Sequence, residues 1–183
     1  MKNCINRVHI FGASGSGTTT FGRALADKYG FAFFDTDDYF WKVKYSEINR
    51  ISDRIEMIQK ATRNEGKWVL SGSLCGWGDV SIPSFDIAVF IYLPKEIRMA
   101  RLKEREKERY GDDILPGGPR HSEYIALIEW AGKYDEGGRE IRSKLGHEEW
   151  IEKLTCPVLR FDGDFSIEGK MKKYEEFKGI SEI

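Results

Sequence analysis

Glycine and hydroxyl residues follow a short apolar segment near the N-terminus, in the sequence RVHIFGASGSGTTT of residues 7–20. Glycines let successive backbone N–H groups face one anion, and a helix that follows adds its own free N–H groups. This spacing is typical of the phosphate-binding P-loop, whose last hydroxyl coordinates Mg²⁺. The pattern predicts a phosphate site formed by Gly12, Ala13, Ser14, Gly15, Ser16, Gly17, Thr18, Thr19 and Thr20, with Thr19 at the metal position.

Thr18 stands where the P-loop pattern G-x-x-x-x-G-K has its lysine. That lysine normally reaches the β- and γ-phosphates and draws negative charge away from the transferring group. Threonine can donate a hydrogen bond but carries no charge. Two interpretations stay open: another cation replaces the lysine, or the protein binds nucleotide and turns it over slowly or not at all.

Three aspartates follow the next apolar segment, FAFFD at residues 31–35. In extended chain, Asp35 and Asp37 point the same way, so one carboxylate is expected near Mg²⁺ and the other near a substrate group. A polar turn that caps the following segment is the alternative interpretation.

Serines and glycines occupy residues 71–79, SGSLCGWGD, where many P-loop enzymes carry an aspartate. Gly72 is expected to allow a substrate close to the backbone, and Trp77 to stack on a planar substrate. Ser71 or Ser73 is a candidate for holding a metal-bound water. A loop that contacts no ligand is an equally good interpretation.

Arginines recur along the predicted helix KEIRMARLKEREKERYG, and Arg101 and Arg105 share one of its faces. A glycine-rich loop follows at residues 110–120, and long loops in compact domains often form lids. Positive charge at a lid is what phosphoryl transfer requires, so these arginines are candidates to replace the missing lysine. Arg139 and Arg142 are further candidates, and a solvated helix face is the alternative.

Apolar segments alternate with helical patterns along the whole chain, which predicts an α/β fold. We expect a three-layer P-loop NTPase fold with about five parallel strands, helices on both faces and a helical lid. Isoleucines at helical spacing predict a helix over residues 46–65. The interpretation is a single domain, 1–183, with an acceptor-binding helical region at about 37–66 and a lid at about 105–140. His9 is expected in the core, and His121 and His147 at the surface or as caps.

A net charge of −1 gives no basic field for nucleic acid or a membrane surface. The three cysteines have no zinc-site spacing, and no apolar run is long enough for a signal peptide or a membrane span. These features predict a cytoplasmic protein, a monomer or homodimer, whose partners are a nucleotide and a small-molecule acceptor.

The chain resembles the small P-loop kinases of the nucleoside monophosphate kinase and shikimate kinase group over most of its length. GASGSGTTT is similar to their phosphate loop, and FFDTDDYF to the Asp-x-Asp segment of shikimate kinases. SGSLCGWG is similar in position to the glycine-rich end of the third shikimate kinase strand. RLKER is similar to the start of the adenylate kinase lid, and FDGD lies where such kinases hold adenine.

This resemblance implies that Mg·ATP binds at residues 12–20, with the metal near Thr19 and Asp35. It also implies that Asp37 faces the acceptor and that Arg54 binds it. In the same way, Arg105 is expected to approach the phosphates when the lid closes, and Arg101 to lie beside adenine.

The first functional hypothesis is a kinase that transfers the γ-phosphoryl group of ATP to a nucleoside monophosphate, a nucleoside or a shikimate-like metabolite. Asp37 then orients or deprotonates the acceptor, while Arg101, Arg105 and Arg139 stabilise the charge of the transition state. The alternatives are a catalytically weak nucleotide-binding or sensing protein of kinase fold, and a slow nucleotide hydrolase.

Overall fold

Strands and helices alternate along residues 5–43 and 47–181, which are the residues that the computed structural model describes. The strands are β1 (Arg7–Gly12), β2 (Ala32–Asp35), β3 (Trp41–Val43), β4 (Glu47–Ile48), β5 (Trp68–Ser71), β6 (Ile87–Tyr92) and β7 (Val158–Asp162). The helices are α1 (Thr18–Tyr29), α2 (Asp37–Phe40), α3 (Ile51–Thr62), α4 (Lys95–Tyr110), α5 (His121–Gly132), α6 (Lys144–Lys153) and α7 (Ile167–Ser181). Short 3₁₀ helices span Asp79–Ser84 and Gly111–Ile114.

Five of the strands form one parallel sheet in the order β2-β5-β1-β6-β7. Strands β5 (WVLS) and β6 (IAVFIY) consist mainly of buried apolar residues, as expected for strands covered on both faces. The five-stranded parallel sheet predicted from the sequence is therefore confirmed. None of the described helices is long and apolar enough to cross a membrane.

Each face of the sheet carries its own apolar core. Side chains of β1 that point to one face, such as Val8 and Ile10, pack with Phe21 and Leu25 of α1 and with Tyr174 of α7. On the opposite face, the core contains Phe11 of β1, Ile58 of α3 and Trp150 of α6, together with side chains of β5 and β6. Helices cover both faces of the sheet, which gives three layers.

The helix predicted for residues 46–65 is shorter in the structure. It begins at Ile51, and β3 and β4 form an antiparallel pair before it, in which Trp41 lies opposite Ile48. Ile48 fits the helical spacing of the isoleucines but lies in β4 with a largely exposed side chain. Residues 44–46, which include the predicted first residue of the helix, lie outside the described residues.

The segment predicted as a loop at residues 110–120 is largely structured. The 3₁₀ helix Gly111–Ile114 follows α4 directly, and Ile114 is buried. Gly117, with φ 86°, allows the turn into α5, and His121 Nδ1 lies 2.9 Å from the carbonyl oxygen of Ile114. The Pro and Gly residues therefore form a turn between packed helices.

Three parallel strands end at the same edge of the sheet and bring the predicted site segments together. The glycine-rich loop follows β1, Asp35 ends β2, and Gly72 follows β5. The backbone N–H of Thr36 donates to Ser71 O at 2.8 Å, and that of Gly72 donates to Ile10 O at 2.8 Å. These bonds continue the ladder beyond the strands, so the segments of this edge have a fixed spacing.

Candidate active site

The glycine-rich loop needs its glycines for two separate reasons. Gly15 and Gly17 have φ angles of 83° and 88°, in the left-handed region that favours glycine. A Cβ on Gly12 would lie 2.3 Å from Ile91 O, and one on Gly15 would lie 2.3 Å from Arg98 O. The loop is therefore held tightly against the end of β6 and the first turn of α4, and α1 begins directly after it.

Thr19 and Asp35, the predicted metal residues, lie together in the structure. The Thr19 hydroxyl donates to Asp35 Oδ2 at 3.0 Å, and the Asp37 backbone N–H donates to Asp35 Oδ1 at 3.1 Å. Burial, with the negative charges of Asp37 and Asp38, raises the pKa of the Asp35 carboxyl. A divalent cation beside these oxygens would relieve that cost, and hydroxyl and carboxylate oxygens are ligands that Mg²⁺ accepts.

The donor set therefore fits Mg²⁺ as a partial site. Among residues 5–43 and 47–181, no group of three or more His, Cys, Asp or Glu side chains could hold a metal. Mg²⁺ commonly binds through one or two protein ligands, with phosphate oxygens and waters completing its coordination.

Asp37 does not continue the extended chain of Asp35, as the sequence suggested. It is the first residue of α2, and Thr36 before it already has helical dihedral angles. Asp37 is exposed, so its carboxylate is free to meet a ligand on the outer side of Asp35. The turn results from the hydrogen bond between the Asp37 N–H and the Asp35 carboxylate, a common aspartate turn.

Two arginines of α4 predicted to stabilise the phosphates are paired with carboxylates. Arg101 Nη2 lies 2.7 and 2.9 Å from the two carboxylate oxygens of Asp164, in the segment after β7. Arg105 donates from Nε and Nη2 to Glu106 Oε1, at 3.0 and 2.8 Å. Both guanidinium groups would have to exchange these partners to reach a nucleotide.

Arg98, also on α4, is fully buried and joins three parts of the site. Its Nη1 donates to Ala131 O at 2.6 Å, and its Nη2 to Asp135 Oδ2 at 2.5 Å. Its guanidinium lies 5.1 Å from the ring centroid of Tyr134. Because its backbone carbonyl packs against Gly15, this residue connects the phosphate loop to the end of α5.

A cavity of about 500 Å³ is lined by residues from four separate segments. These segments are the end of α2, the segment after β5, the end of α5 with its following loop, and α6. The aromatic lining residues are Phe40, Trp77, Trp130 and Trp150. Flat rings and a volume of this size suit a small planar ligand.

Arg54 and Trp77, two predicted acceptor-binding residues, are in contact. The Arg54 guanidinium lies 4.1 Å from the Phe40 ring centroid and 5.3 Å from that of Trp77. Its Nε donates to Asn49 O at 2.8 Å, and the residue is 5 % exposed. Arg54 therefore supports two aromatic walls of the cavity from behind.

Gly72, the third predicted acceptor residue, has φ 106°. A Cβ there would lie 1.9 Å from the Thr36 hydroxyl oxygen, so glycine is required for β2 and β5 to end side by side. Gly72 therefore allows the segment after β5 to pack closely against Thr36, directly after β2.

Two arginines of the loop between α5 and α6 line the cavity, and they differ in their partners. Arg139 has a side chain that is 79 % exposed and forms an ion pair with Glu149, with Nη2 and Oε1 2.6 Å apart. Arg142 lies over Trp130, with its guanidinium 5.5 Å from the ring centroid. No described carboxylate pairs with Arg142, which leaves a positive charge at the cavity wall.

His147 was expected at the surface or as a cap, and that expectation is wrong. It is fully buried, its Nδ1 is 2.7 Å from the Tyr134 hydroxyl, and its Nε2 is 3.0 Å from Ser73 Oγ. His147, Trp150 and Ile151 recur at helical spacing, a signal of a buried face that the sequence does contain. His9, expected in the core, is fully buried in β1 between Phe11 and Phe85.

The sequence matches one protein family and is similar to proteins of other organisms. A model of a family described as AAA domain matches residues 8–125. The uncharacterised protein YqaC of Bacillus subtilis (strain 168) is 39% identical over 170 residues, which cover 93% of this chain and 96% of that protein. A cytidylate kinase of Archaeoglobus fulgidus is 31% identical over 114 residues, 55% of this chain, and the alignment spans only 62% of that enzyme.

Solved structures show the same fold at low sequence identity. A shikimate kinase from Acinetobacter baumannii in complex with shikimate has a TM-score of 0.55 and 13% identity, and the match covers 96% of this chain and 93% of that one. A deoxyadenosine kinase from M. mycoides with bound dATP has a TM-score of 0.57 and 13% identity, and the match covers 94% and 99%. The predicted P-loop fold, similar to that of small kinases, is confirmed.

Proposed function

The chain belongs to the AAA domain family, and from this premise we propose that it transfers the γ-phosphoryl group of ATP to a nucleoside monophosphate. The observation that carries the proposal is the cavity lined by Phe40 at the end of α2 and by Ser73 and Trp77 after β5, two of the segments that follow the sheet edge of the phosphate loop. It combines aromatic walls, which suit a base, with the positive charge of Arg142, which pairs with no described carboxylate and suits a phosphate. The cytidylate kinases among the relatives favour a monophosphate over the other anionic acceptor, a shikimate-like carboxylate.

On the nucleotide side, the backbone N–H groups of residues 12–18 and the start of α1 bind the phosphates of ATP. Thr19 and Asp35 hold Mg²⁺, which supplies charge neutralisation at the phosphate oxygens when it is bound. The remaining loop residues, including Thr20, complete the nucleotide site. The glycines that pack against Ile91 and Arg98 keep this cradle rigid, so little free energy is needed to organise it.

On the acceptor side, Asp37 orients the acceptor by accepting hydrogen bonds from its hydroxyl or amino groups. The attacking phosphate oxygen of a monophosphate is already deprotonated near neutral pH, so the transfer requires no base. The exposed carboxylate of Asp37 and its position next to Asp35 support this role. Arg142 neutralises the acceptor anion, while Trp77 contacts its planar part and Arg54 holds Trp77 and Phe40 in place. We also assign Gly72 to the acceptor site, as a position where the backbone can approach the acceptor.

We assign the region at about 37–66 to acceptor binding and the region at about 105–140 to a lid. Arg101 and Arg105 then leave Asp164 and Glu106 for the phosphates when the lid closes around ATP. Arg139, which is paired with Glu149, is a further cation that can exchange partners in the same way. Together these groups supply the charge that Thr18 lacks.

A second candidate function is a nucleotide-binding protein with weak transfer activity. The observation that favours it is that Arg101 and Arg105 of α4 have carboxylate partners, while the lysine position is a threonine. In that case the positive charge at the γ-phosphate would come from Mg²⁺ alone.

The deciding experiment measures ADP release from Mg·ATP in the presence of CMP, UMP, AMP, cytidine and shikimate. We expect release that depends on a monophosphate, with cytidine as the matched compound that lacks only the phosphate of CMP. Equal release with cytidine would contradict the role of the anion, and release with shikimate alone would change the acceptor class. ATP binding by calorimetry without release from any acceptor would support the second candidate.

A further inference from the structure

Three buried side chains form a continuous hydrogen-bonded chain that ends at the cavity. The Tyr134 hydroxyl lies 2.7 Å from His147 Nδ1, and His147 Nε2 lies 3.0 Å from Ser73 Oγ. Tyr134, His147 and Ser73 are 2 %, 0 % and 3 % exposed. Only Ser73 lines the cavity, so the other two side chains reach a ligand through it.

The direction of the hydrogen bonds follows from the protonation of the two inner groups. Burial and the nearby charge of Arg142 lower the pKa of His147 to about 3, so its imidazole is neutral and carries a single N–H. Burial raises the pKa of the Tyr134 hydroxyl, which keeps its proton. Among the described residues, the hydroxyl of Tyr134 has His147 as its one hydrogen-bond partner.

Only one tautomer satisfies both groups. With the hydrogen on Nδ1, the buried Tyr134 hydroxyl would have no acceptor, and such an unpaired group is costly. With the hydrogen on Nε2, Tyr134 donates to Nδ1, and Nε2 donates to Ser73 Oγ. Ser73 Oγ also lies 3.4 Å from the backbone N–H of Cys75. Two donors thus face the serine oxygen, and its own hydrogen has no acceptor among the described residues.

We propose that Ser73 donates a hydrogen bond to an oxygen or ring nitrogen of the acceptor molecule, and that His147 and Tyr134 are positioning residues that fix this direction. The inference rests on the proposed function, because it takes the cavity as the acceptor site. It specifies the ligand chemistry at this point of the wall: a carbonyl, an oxyanion or an unprotonated ring nitrogen is accepted, and an amine or ammonium group is rejected.

The direction of the hydrogen bond from His147 to Ser73 also excludes a nucleophilic role for Ser73. A serine nucleophile needs an unprotonated imidazole nitrogen to take its proton. Here Nε2 already carries the hydrogen, so His147 cannot act as that base. Ser73 is a recognition group and forms no covalent intermediate.

The first test is independent of any activity. The ¹⁵N chemical shifts of the imidazole in the ligand-free protein are expected to show His147 protonated at Nε2 and unprotonated at Nδ1. In Tyr134→Phe, which removes the hydroxyl and retains the ring against Arg98, the Nε2–H form should lose its preference. Protonation at Nδ1 in the unmodified protein would overturn the proposed direction.

The second test is a double-mutant cycle on acceptor affinity, measured by calorimetry with CMP, UMP, AMP and shikimate. We expect Ser73→Ala and Tyr134→Phe each to raise the Kd of the bound compound on the order of 10-fold, the value of one hydrogen bond to a charged or polar ligand. The double variant should also lose about 10-fold rather than about 100-fold, because both changes remove the same interaction.

Tyr29→Phe is the matched control, because its hydroxyl donates to Glu175 at 2.9 Å between α1 and α7, away from the cavity. Its Kd should equal that of the unmodified protein. Additive losses, unchanged affinity in Tyr134→Phe, or failure of all four compounds to bind would overturn the role of Ser73. Binding with the expected cycle but without ADP release would contradict the proposed function alone.

Discussion

The phosphate loop takes its residues from one continuous segment, 12–20, whereas the wall of the proposed acceptor cavity comes from four segments between residues 40 and 153. The loop presents backbone N–H groups, which are the same whatever the side chains are, and its glycines are fixed by packing against Ile91 and Arg98. The cavity presents side chains, whose identity decides the ligand. We therefore expect nucleotide binding to tolerate a substitution such as Thr18, and the choice of acceptor to depend on each wall residue.

The two regions also differ in how their charge is arranged. Along α4, next to the loop, Arg101 and Arg105 are neutralised by carboxylates in this structure. At the cavity, Arg142 has no described carboxylate partner. In the proposed function, the nucleotide side thus requires a rearrangement or a metal for positive charge, whereas Arg142 already provides it on the acceptor side.

The largest effect on activity is expected from substitution of Asp35, which with Thr19 forms the proposed Mg²⁺ site. Asp35→Asn removes the carboxylate that Thr19 contacts at 3.0 Å, and a metal contribution of several kcal/mol corresponds to a loss of roughly 100-fold or more in kcat. The exposed Asp38→Asn makes the same change of charge nearby and should lose less than about 3-fold. Equal losses of kcat in the two variants would show that activity depends on the total negative charge near the phosphate loop rather than on the Thr19–Asp35 pair.

A smaller effect is expected at the cavity. Arg142→Ala should raise the KM for a monophosphate by roughly 10- to 100-fold, because a charged hydrogen-bond partner is lost, with the KM for ATP unchanged. Arg160→Ala is the control, since this exposed arginine of β7 pairs with Glu148. Arg139→Ala compares the two cavity arginines, and a larger effect there than in Arg142→Ala would reverse the assignment. Initial-rate kinetics with both substrates varied provide the measurement.

Thr18→Lys tests whether the nucleotide side lacks charge. If Arg101, Arg105 and Arg139 supply the charge that Thr18 lacks, kcat/KM for ATP should change by less than about 3-fold. A rise of about 10-fold or more, from contact of the new ammonium group with the β- and γ-phosphates, would favour the second candidate function. Thr18→Ala removes the hydroxyl without adding charge and should change the value little. A marked loss in Thr18→Lys would mean that Thr18 belongs to a working site that a lysine disturbs.

The smallest effect is on stability, and it arises on the cavity side of the sheet. Burial lowers the pKa of His9 to about 4 and that of His147 to about 3, below the value of 6.5 for free histidine. As the pH falls below about 6.5, the unfolded chain gains protons that the folded protein does not, so stability present above this pH is lost. From pH 7 to about pH 5.5, each histidine should lower the free energy of unfolding by about 1 kcal/mol.

Urea unfolding at the two pH values measures this loss of stability. In His9→Phe, the loss between the two pH values should be about half as large as in the unmodified protein. Phenylalanine retains a ring between Phe11 and Phe85 while removing one titrating group. An unchanged pH dependence in this variant would show that His9 is protonated in the folded protein.

The sequence predicts the parts of the molecule that depend on neighbouring residues. The glycine spacing identified the phosphate loop, the apolar runs identified all five strands of the main sheet, and strand ends placed Thr19 near Asp35. In each case the physical cause lies within a few residues, or follows from the shared edge of a parallel sheet.

The remaining features depend on contacts between distant segments. Ser73 and His147 meet across 74 residues, so no spacing rule places them together. The turn-forming residues Pro116, Gly117 and Pro119 dominate the segment 110–120 in sequence, although the helices around it pack closely. In the same way, the regular spacing of the isoleucines predicts that the helix includes Ile48, which lies in β4 in the structure. A single isoleucine at this position fits both the helical spacing and a strand.

Tyr134 and Asp135 are adjacent in sequence but contact opposite halves of the site. Asp135 binds Arg98, whose carbonyl packs against the phosphate loop, and Tyr134 binds His147 beside the cavity. A ligand that fixes this pair from one side also fixes it for the other, so the two substrates should favour each other's binding. By thermodynamic reciprocity, the factor by which ATP tightens the acceptor equals the factor by which the acceptor tightens ATP. We therefore expect the dipeptide that follows α5 to couple the two proposed half-sites.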